Sequence, residues 1–194
     1  MAKLIGSKKI RTAVFISGKG SNFENLVKFS FSRRSIIEIV LVISNNSKAK
    51  GLRYAKKYKV KKKIFSFKNP KKTENEIIYL LKKDDIDLVC LAGFMKILSK
   101  NFIKRFNKKI LNIHPSLLPK YKGLNTHQKV IENKEKYSGC TVHLVSSKLD
   151  SGRIILQKKI RIFNSDTPKT ISKRILKQEH ILYPKAIKKI YSSS

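Results

Sequence analysis

The sequence predicts an α/β fold in a single domain over residues 1–194, with an open, mostly parallel twisted sheet and helices on both faces. Continuous apolar runs at 12–16 and 87–91 suit strands that are buried on both faces of a parallel sheet. Segments with helical spacing lie between such runs, as the crossovers between parallel strands require. The length of 194 residues allows one well-buried core and is short for two.

The first strand, at 12–16, is followed at once by a turn that reads Ser-Gly-Lys-Gly-Ser-Asn over residues 17–22. A helical pattern comes next, so the glycines mark a strand-to-helix turn whose free backbone amides can bind phosphate. A purely structural turn is the alternative. The turn is not a dinucleotide fingerprint, because Phe23 stands where a third glycine belongs and the second strand, 36–43, ends without a ribose-binding acid. Nor is it a P-loop, which needs Gly-Lys-Ser/Thr after a longer loop.

The next part of the chain is basic. Residues 48–58 predict a short helix, and residues 63–67 predict a short edge strand. We expect a mobile polar connection at 68–72. A helix then begins at a capping box, in which Thr73 and Glu76 each satisfy a free backbone amide.

The strand at 87–91 runs into Ala-Gly-Phe-Met-Lys-Ile-Leu at 92–98, and Ser99 occupies the N-cap position of the following helix. A glycine and Met95 at the carboxyl end of a strand can line an apolar slot for a flat ligand. Core packing is the alternative for Met95.

Asn112 and His114 lie two residues apart around the end of the next strand, 110–113. Side chains at this spacing leave an extended segment from the same face. Pro115 favours extended backbone in the residue before it, which puts His114 at the carboxyl end of the strand, where open α/β sheets bind ligands. A surface turn at His114-Pro115 is the alternative.

The carboxyl-terminal part supplies four more elements and a single candidate acid. The chain has only 12 acidic residues, and Asp150 lies in a turn at 149–152. The predicted elements are a helix at 126–134, strands at 141–145 and 154–162, and a final helix that Thr167 caps and Pro168 opens.

The net charge of +33 would normally indicate a nucleic acid or an anionic membrane as partner. Lysine, however, supplies 37 of the 45 basic residues and is spread along the whole chain. Proteins that read nucleic acids use arginine for bidentate and stacking contacts. We therefore expect a solvated basic surface that attracts anionic small substrates, with no specific nucleic-acid partner.

Cys90 and Cys140 are too few for a disulfide framework or a metal cluster, and Cys90 lies in an apolar run that predicts a buried thiol in a reducing compartment. No metal is expected. No apolar run approaches the roughly 20 residues that span a bilayer, and the amino terminus lacks the apolar core of a secretory signal. The sequence therefore predicts a cytoplasmic protein without a membrane partner, as a monomer or weak homodimer.

Four groups of residues carry a family signature. They read Ile-Ser-Gly-Lys-Gly-Ser-Asn at 16–22, Leu-Ala-Gly-Phe-Met-Lys-Ile-Leu-Ser at 91–99, Leu-Asn-Ile-His-Pro-Ser-Leu-Leu-Pro-Lys-Tyr at 111–121, and Thr-Val-His at 141–143 with Asp-Ser-Gly at 150–152 and Ile-Ile-Leu-Gln at 154–157. Together they resemble the phosphoribosylglycinamide formyltransferases, folate-dependent enzymes of purine synthesis. The likeness covers nearly the whole chain and implies a Rossmann-like formyltransferase fold.

The resemblance implies formyl transfer from 10-formyltetrahydrofolate to the amine of glycinamide ribonucleotide. This reaction passes through a tetrahedral intermediate, so the site must stabilise an oxyanion and move protons. Asn112 would supply an amide donor and His114 a cationic donor. Asp150 would favour that cation and assist removal of a proton from the attacking amine.

The resemblance also implies binding residues. Those for the ribotide are Gly20, Ser21 and Asn22 at the phosphate, Glu179 at the ribose hydroxyls, and Met95 and Pro115 where the reactants meet. Those for the folate are Lys96, Ile97, Leu98, Val145 and Asn112. Ordinary core packing is the alternative for Ile97 and Leu98, and an ion pair with a lysine is the alternative for Glu179.

Four positions depart from the family pattern: Lys19, Lys96, Asn125 and Arg153 stand where asparagine, arginine, histidine and proline are common. Lysine lacks the planar fork of arginine, so the resemblance leaves contacts with the folate tail at Lys96 open.

Three other functions are alternatives. Methionyl-tRNA formyltransferase and formyltetrahydrofolate hydrolase share the catalytic chemistry, but they carry an additional carboxyl-terminal and amino-terminal domain, respectively, for which we expect no room in this chain. A basic nucleic-acid-binding α/β domain is the non-enzymatic alternative. The charge favours it, but no reading helix or aromatic platform is recognised.

Overall fold

A seven-stranded sheet organises residues 8–192, the part of the chain that this computed structural model describes. Its strands are β1 (Ile10–Ile16), β2 (Ile37–Ser44), β3 (Lys61–Ile64), β4 (Leu88–Leu91), β5 (Lys109–His114), β6 (Tyr137–Leu144) and β7 (Ile154–Arg161). Their order across the sheet is β3-β2-β1-β4-β5-β6-β7. Pairs from β3 to β5 are parallel, whereas β5 pairs with β6 and β6 with β7 in antiparallel orientation. The prediction of an open, mostly parallel sheet is therefore confirmed.

Six helices complete the described part of the chain: α1 (Ser21–Ser30), α2 (Leu52–Lys57), α3 (Pro70–Lys83), α4 (Lys100–Phe106), α5 (Thr126–Glu132) and α6 (Pro168–Ser192). Two predicted caps are confirmed. The Ser99 side chain accepts a hydrogen bond from the backbone N–H of Phe102 at the start of α4. Thr167 Oγ1 accepts one from the N–H of Thr170 at 3.2 Å at the start of α6.

The alternation of side chains along β1 builds a core on each face of the sheet. Val14 and Ile16 pack in one cluster with residues of α1 and α6, and Ala13 and Phe15 pack in the other with residues of α3 and α4. Helices therefore cover both faces, as the continuous apolar run of β1 predicts.

Tyr183 of α6 links the first of these cores to the sheet. Its side chain is fully buried, and its hydroxyl lies 3.0 Å from the carbonyl oxygen of Leu91 and 3.1 Å from that of Leu111. These carbonyls belong to β4 and β5, so the hydroxyl connects α6 to the two strands that precede the predicted site residues.

The capping box predicted at Thr73 is wrong. Helix α3 begins earlier, at Pro70, and the Asn69 side chain accepts a hydrogen bond from the N–H of Lys72 at 3.1 Å. Asparagine followed by proline is itself a strong start signal, because the fixed φ of proline suits the first helical turn. The Thr73 hydroxyl instead donates to the carbonyl of Ser66 at 2.6 Å. Residues 70–72 consequently belong to the helix and not to the predicted connection.

Other boundaries shift by a few residues. The predicted edge strand at 63–67 is β3, which lies at the sheet edge but ends at Ile64, and the predicted helix at 48–58 shortens to α2. Within residues 8–192, no helix combines the length and apolar character needed to cross a membrane.

Candidate active site

The carboxyl ends of β1, β4 and β5 lie together on one side of the sheet because these strands are parallel neighbours. The glycine turn after β1, the segment after β4, and the Asn112 and His114 side chains of β5 are located at these strand ends. Ligands of open α/β sheets bind at the carboxyl ends of the strands. The structure thus brings together three segments that are far apart in the sequence.

Asp150 lies beside both predicted catalytic side chains of β5. Its Oδ2 is 3.4 Å from His114 Nδ1, and the two side chains are about equally buried. Asn112 Nδ2 is 3.4 Å from Asp150 Oδ1. The three residues implied for catalysis therefore form one contiguous cluster.

The surroundings of Asp150 favour its charged form. Burial by itself raises the pKa of this carboxyl, but the contact with His143, the hydrogen bond from the N–H of Gly123 and the charge of the nearby His114 outweigh burial and hold the pKa below its ordinary value. Gly123 N lies 2.9 Å from Asp150 Oδ2. Asp150 is consequently a carboxylate at neutral pH, buried but well supplied with donors.

His143 is a member of the cluster that was not among the predicted catalytic residues. It faces Asn112 directly across the antiparallel pair of β5 and β6. Its Nε2 lies 3.2 Å from Asn112 Nδ2 and 3.5 Å from Asp150 Oδ1, and its Nδ1 lies 2.9 Å from the carbonyl oxygen of Leu144. A ring that carries its proton on Nδ1 donates to Leu144 and accepts from the Asn112 amide.

His114 has an acceptor at each ring nitrogen. Nδ1 faces Asp150, and Nε2 lies 2.8 Å from the carbonyl oxygen of Tyr121. Only the doubly protonated ring can donate to both acceptors. The geometry therefore suits the cationic ring that the family resemblance implies, with both of its N–H groups directed at protein acceptors.

The glycine turn forms a cradle of backbone amides at the start of α1. Gly20 is the N-cap residue in the left-handed conformation, with φ of +72°, and no side chain caps the helix. The amides of the first turn, at Ser21 and Asn22, thus remain available to an anion, which the helix dipole also favours.

Glu179 of α6 lies next to this cradle, where its carboxylate accepts a hydrogen bond from Asn22 Nδ2 at 2.7 Å. Both residues are buried. Burial raises the pKa of Glu179, and the hydrogen bond from Asn22 only partly opposes this rise. Asn22 Oδ1 is also buried and has no hydrogen-bond partner within residues 8–192. The structure thus brings Asn22 and Glu179 together, with a polar contact in place of the ion pair that was the alternative.

The segment after β4 is apolar and open to solvent. Met95 is 60% exposed and Ile97 70% exposed, whereas Leu98 is only 4% exposed and packs in the second core. The core-packing alternative is therefore wrong for Met95 and Ile97 and right for Leu98. Lys96 is exposed, and Val145, which is partly buried, packs against the same core as Leu98. Pro115 directly follows His114 and is also partly buried.

Ser17 joins the cradle to this segment and was not among the predicted site residues. Its hydroxyl accepts a hydrogen bond from the N–H of Met95 at 2.7 Å and donates to Asn45 Oδ1 at 2.5 Å. The ends of β1, β2 and β4 are therefore tied together by one side chain. Within the described residues 8–192, no group of three or more histidine, cysteine and acidic side chains is arranged so that it could hold a metal ion.

Comparisons with known proteins identify the family of the chain. Residues 10–187 match the sequence model of the family described as Formyl transferase. The chain is 43% identical over 184 residues to phosphoribosylglycinamide formyltransferase of Haemophilus influenzae, which covers 93% of the chain and 86% of that protein. It is 40% identical over 190 residues to the trifunctional purine biosynthetic protein adenosine-3 of Bos taurus. That alignment covers 96% of the chain but only 19% of the relative, so the chain spans about a fifth of the trifunctional protein.

Solved structures give the same result. The crystal structure of phosphoribosylglycinamide formyltransferase from Brucella melitensis matches with a TM-score of 0.90 and 39% identity, over 96% of this chain and 97% of that one. The structure of the protein of that name from Anaplasma phagocytophilum matches with a TM-score of 0.87 and 42% identity, over 93% and 85% of the two chains. The fold and the sequence are therefore both similar to those of these proteins over most of the chain.

Proposed function

The chain belongs to the formyl transferase family, and from this premise we propose that it is a phosphoribosylglycinamide formyltransferase. It transfers the formyl group of 10-formyltetrahydrofolate to the amine of glycinamide ribonucleotide and gives formylglycinamide ribonucleotide and tetrahydrofolate. The observation that carries the proposal is the cluster of Asn112, His114 and Asp150 at the carboxyl ends of the parallel strands, on the same side of the sheet as an amide cradle and an open apolar segment.

The chemistry follows from the donors in this cluster. Attack of an amine on a formyl carbon forms a tetrahedral intermediate with an oxyanion, which needs hydrogen-bond donors that are already in position. Asn112 Nδ2 has two hydrogens, of which His143 Nε2 accepts one. The other makes only a long contact with Asp150 and is thus available to the oxyanion. Cationic His114 adds its positive charge near the oxyanion, because its two N–H groups face Asp150 and the Tyr121 carbonyl. Asp150 accepts a proton from the attacking amine; the bond from the formyl carbon to the folate nitrogen then breaks, and that nitrogen takes up a proton.

The ribotide occupies the amino-terminal side of the site. Its phosphate binds the amides of Gly20, Ser21 and Asn22, whose position at the start of a ten-residue helix favours an anion. The Glu179 carboxylate and Asn22 Oδ1 are neighbouring acceptors, and adjacent ribose hydroxyls are matching donors. The surplus of lysines attracts the doubly anionic ribotide from solution.

The folate occupies the side of β4. Met95 and Ile97 present apolar surface to solvent, which suits a flat heterocycle. Lys96 contributes a cation for the folate carboxylates, and main-chain groups near Val145 read the polar edge of the ring. Met95 and Pro115 line the place where the reactants meet.

Methionyl-tRNA formyltransferase and formyltetrahydrofolate hydrolase activities are less well supported than phosphoribosylglycinamide formyltransferase activity. The relatives that the chain matches over most of both lengths, from Haemophilus influenzae and Brucella melitensis, carry the name phosphoribosylglycinamide formyltransferase. A cradle for a phosphate beside the catalytic cluster also has a purpose in a ribotide enzyme and none in a folate hydrolase.

One assay tests the proposal. Purified protein is mixed with glycinamide ribonucleotide and 10-formyltetrahydrofolate, and the deformylated folate and formylated ribotide are measured together. We expect both products in equal amounts, with no folate product when the ribotide is left out. Deformylation without the ribotide would identify a hydrolase, and the absence of any reaction would disprove the proposal.

A further inference from the structure

The loop after β5 contacts both members of the His114–Asp150 pair through its backbone. The carbonyl oxygen of Tyr121 accepts from His114 Nε2 at 2.8 Å, and the N–H of Gly123 donates to Asp150 Oδ2 at 2.9 Å. The conformation of this loop therefore sets where the imidazole ring and the carboxylate lie relative to each other.

Tyr121 holds a backbone conformation that needs support. Its φ is +56°, in the left-handed region that residues with a Cβ seldom adopt. Such a conformation persists only when surrounding contacts fix it. One contact is local, because the Ser116 hydroxyl lies 3.2 Å from the Tyr121 carbonyl oxygen and 2.7 Å from that of Lys120.

The other contact comes from a separate part of the chain. The Tyr121 hydroxyl donates to Glu135 Oε1 at 2.8 Å, and the Tyr121 ring packs against the first core. Glu135 is in turn fixed by the end of α5, since its N–H donates to the carbonyl of Val130 at 3.0 Å. The α5–β6 connection thus anchors the tyrosine whose carbonyl binds His114.

We propose that Glu135 is a positioning residue for His114. It holds the Tyr121 hydroxyl, which fixes the Tyr121 carbonyl against His114 Nε2, and this leaves His114 Nδ1 facing Asp150. The role in catalysis rests on the proposed formyl transfer, whereas the effect on the imidazole ring does not depend on it.

The hydrogen bond between Tyr121 and Glu135, and not the ion pair between Lys120 and Glu135, is the contact through which Glu135 positions the loop. Lys120 Nζ also lies 2.7 Å from Glu135, but the lysine side chain is 66% exposed, and exposed ion pairs contribute little to stability. Burial and the neighbouring Glu135 carboxylate raise the pKa of Tyr121, so the phenol stays protonated as a donor throughout the neutral range.

The experiment compares three variants. Tyr121→Phe and Glu135→Ala each remove the bond, while Glu135→Gln keeps an acceptor for the Tyr121 hydroxyl. We expect kcat to fall about tenfold in the first two with KM within about twofold, since the loss of a hydrogen bond to a charged group has this effect when it displaces a catalytic ring. Glu135→Gln should restore kcat to within about threefold of the wild type, because a neutral acceptor forms a weaker bond than a carboxylate.

Surface residues of the same types serve as controls. Tyr79→Phe removes the hydroxyl of a tyrosine that is 69% exposed on α3, and Glu132→Ala removes an exposed acid on α5 that accepts from Gln128. Both should retain the kcat of the wild type.

A second readout reports on the ring itself. The chain has four histidines, so the imidazole nitrogen and proton signals of His114 can be assigned by NMR through their loss in His114→Gln. We expect these signals to shift in Tyr121→Phe and Glu135→Ala and to return in Glu135→Gln. Unchanged His114 signals would overturn the proposal whatever happens to kcat, and so would an equal effect of Glu132→Ala. If the wild-type protein transfers no formyl group, the proposed function fails and the NMR result alone decides the positioning role.

Discussion

The backbone of Gly20, in the turn that forms the amide cradle, is in close contact with the backbone of Gly51. A Cβ added to Gly20 would lie 2.5 Å from the Cα of Gly51, and one added to Gly51 would lie 2.8 Å from the Cα of Gly20. Gly51 N also donates to the carbonyl of Gly18 at 2.9 Å. The backbone that precedes α2 therefore supports the turn that we propose as the phosphate site.

Gly51→Ala should weaken ribotide binding. The methyl group cannot be accommodated without moving the turn, because its nearest neighbour is the Gly20 backbone. We expect KM for the ribotide to rise about tenfold or more and KM for the folate to change little, since the loss of well-placed amide contacts costs about 1.5–3 kcal/mol for a charged ligand. Steady-state kinetics with each substrate varied in turn measures this.

Gly18→Ala is the matched control for Gly51→Ala. A Cβ at Gly18 would meet no atom within 4 Å, so the same chemical change in the same turn should leave both KM values near those of the wild type. Equal effects of the two substitutions would show that the contact between Gly20 and Gly51 does not support the cradle.

Replacement of either Asn112 or Asp150 should abolish most turnover and leave the fold intact. Asn112→Ala removes an oxyanion donor, for which losses of about 10²–10³ in kcat are typical. Asp150→Asn removes the negative charge beside His114. The kcat of each variant is measured together with its circular dichroism spectrum. A correctly folded variant that turns over near the wild-type rate would refute the assigned roles.

His143→Ala should slow catalysis through Asn112. The histidine Nε2 is the acceptor that holds the Asn112 amide, at 3.2 Å, so its loss allows the amide to rotate away from the oxyanion. We expect kcat to fall about fivefold to tenfold, as for a lost hydrogen bond of about 1 kcal/mol or slightly more. A double-mutant cycle provides the check: in an Asn112→Ala background the same substitution should have almost no further effect. Additive losses would mean that His143 acts independently of Asn112.

The sequence could predict those parts of the site that depend on one segment. Asn112 and His114 share a strand face because side chains alternate along a strand, and the glycine turn is local. His143 and Glu135 reach the site only through the register of the antiparallel β5–β6 pair and the end of α5. Apolar alternation suggests that β6 is a strand but does not determine which of its residues faces Asn112.

The fold shows the same limit. Periodicity predicts which segments are strands and helices, whereas the capping pattern at Thr73 predicts a start of α3 three residues later than the observed start at Pro70. The contact between Gly20 and Gly51 joins backbones from two βα units, and no local pattern encodes it. Exposure also could not be inferred from residue type, since Ile97 and Leu98 are adjacent and apolar but differ in burial.

That difference in burial gives separate expectations for Ile97 and Leu98. Ile97 is exposed, so Ile97→Ser should raise KM for the folate by about fivefold, the expected effect of losing about 1 kcal/mol of apolar contact, with little loss of stability. Leu98 is buried, so Leu98→Ala should lower the free energy of unfolding by about 2–5 kcal/mol. Urea unfolding and folate-dependent kinetics measure the two effects. Loss of stability in Ile97→Ser without a change in KM would place Ile97 in the core and not in the slot.

Glu179→Gln should separate ribotide binding from stability. Because burial raises the folded-state pKa of Glu179, its contribution to stability is fully present below the unfolded pKa of about 4.3 and is lost as the pH rises through the folded pKa. Glutamine stays neutral and avoids that loss. The variant should therefore gain free energy of unfolding relative to the wild type on going from about pH 4 to about pH 8, while KM for the ribotide rises about tenfold through the loss of a charged acceptor. Urea unfolding at both pH values and steady-state kinetics test this.

Glu76→Gln is the control, because Glu76 is an exposed acid on α3 and the substitution removes the same charge without a change in burial. It should change neither the pH dependence of the free energy of unfolding nor the KM for the ribotide. If the difference in free energy of unfolding between Glu179→Gln and the wild type did not depend on pH, burial would not oppose the ionisation of Glu179.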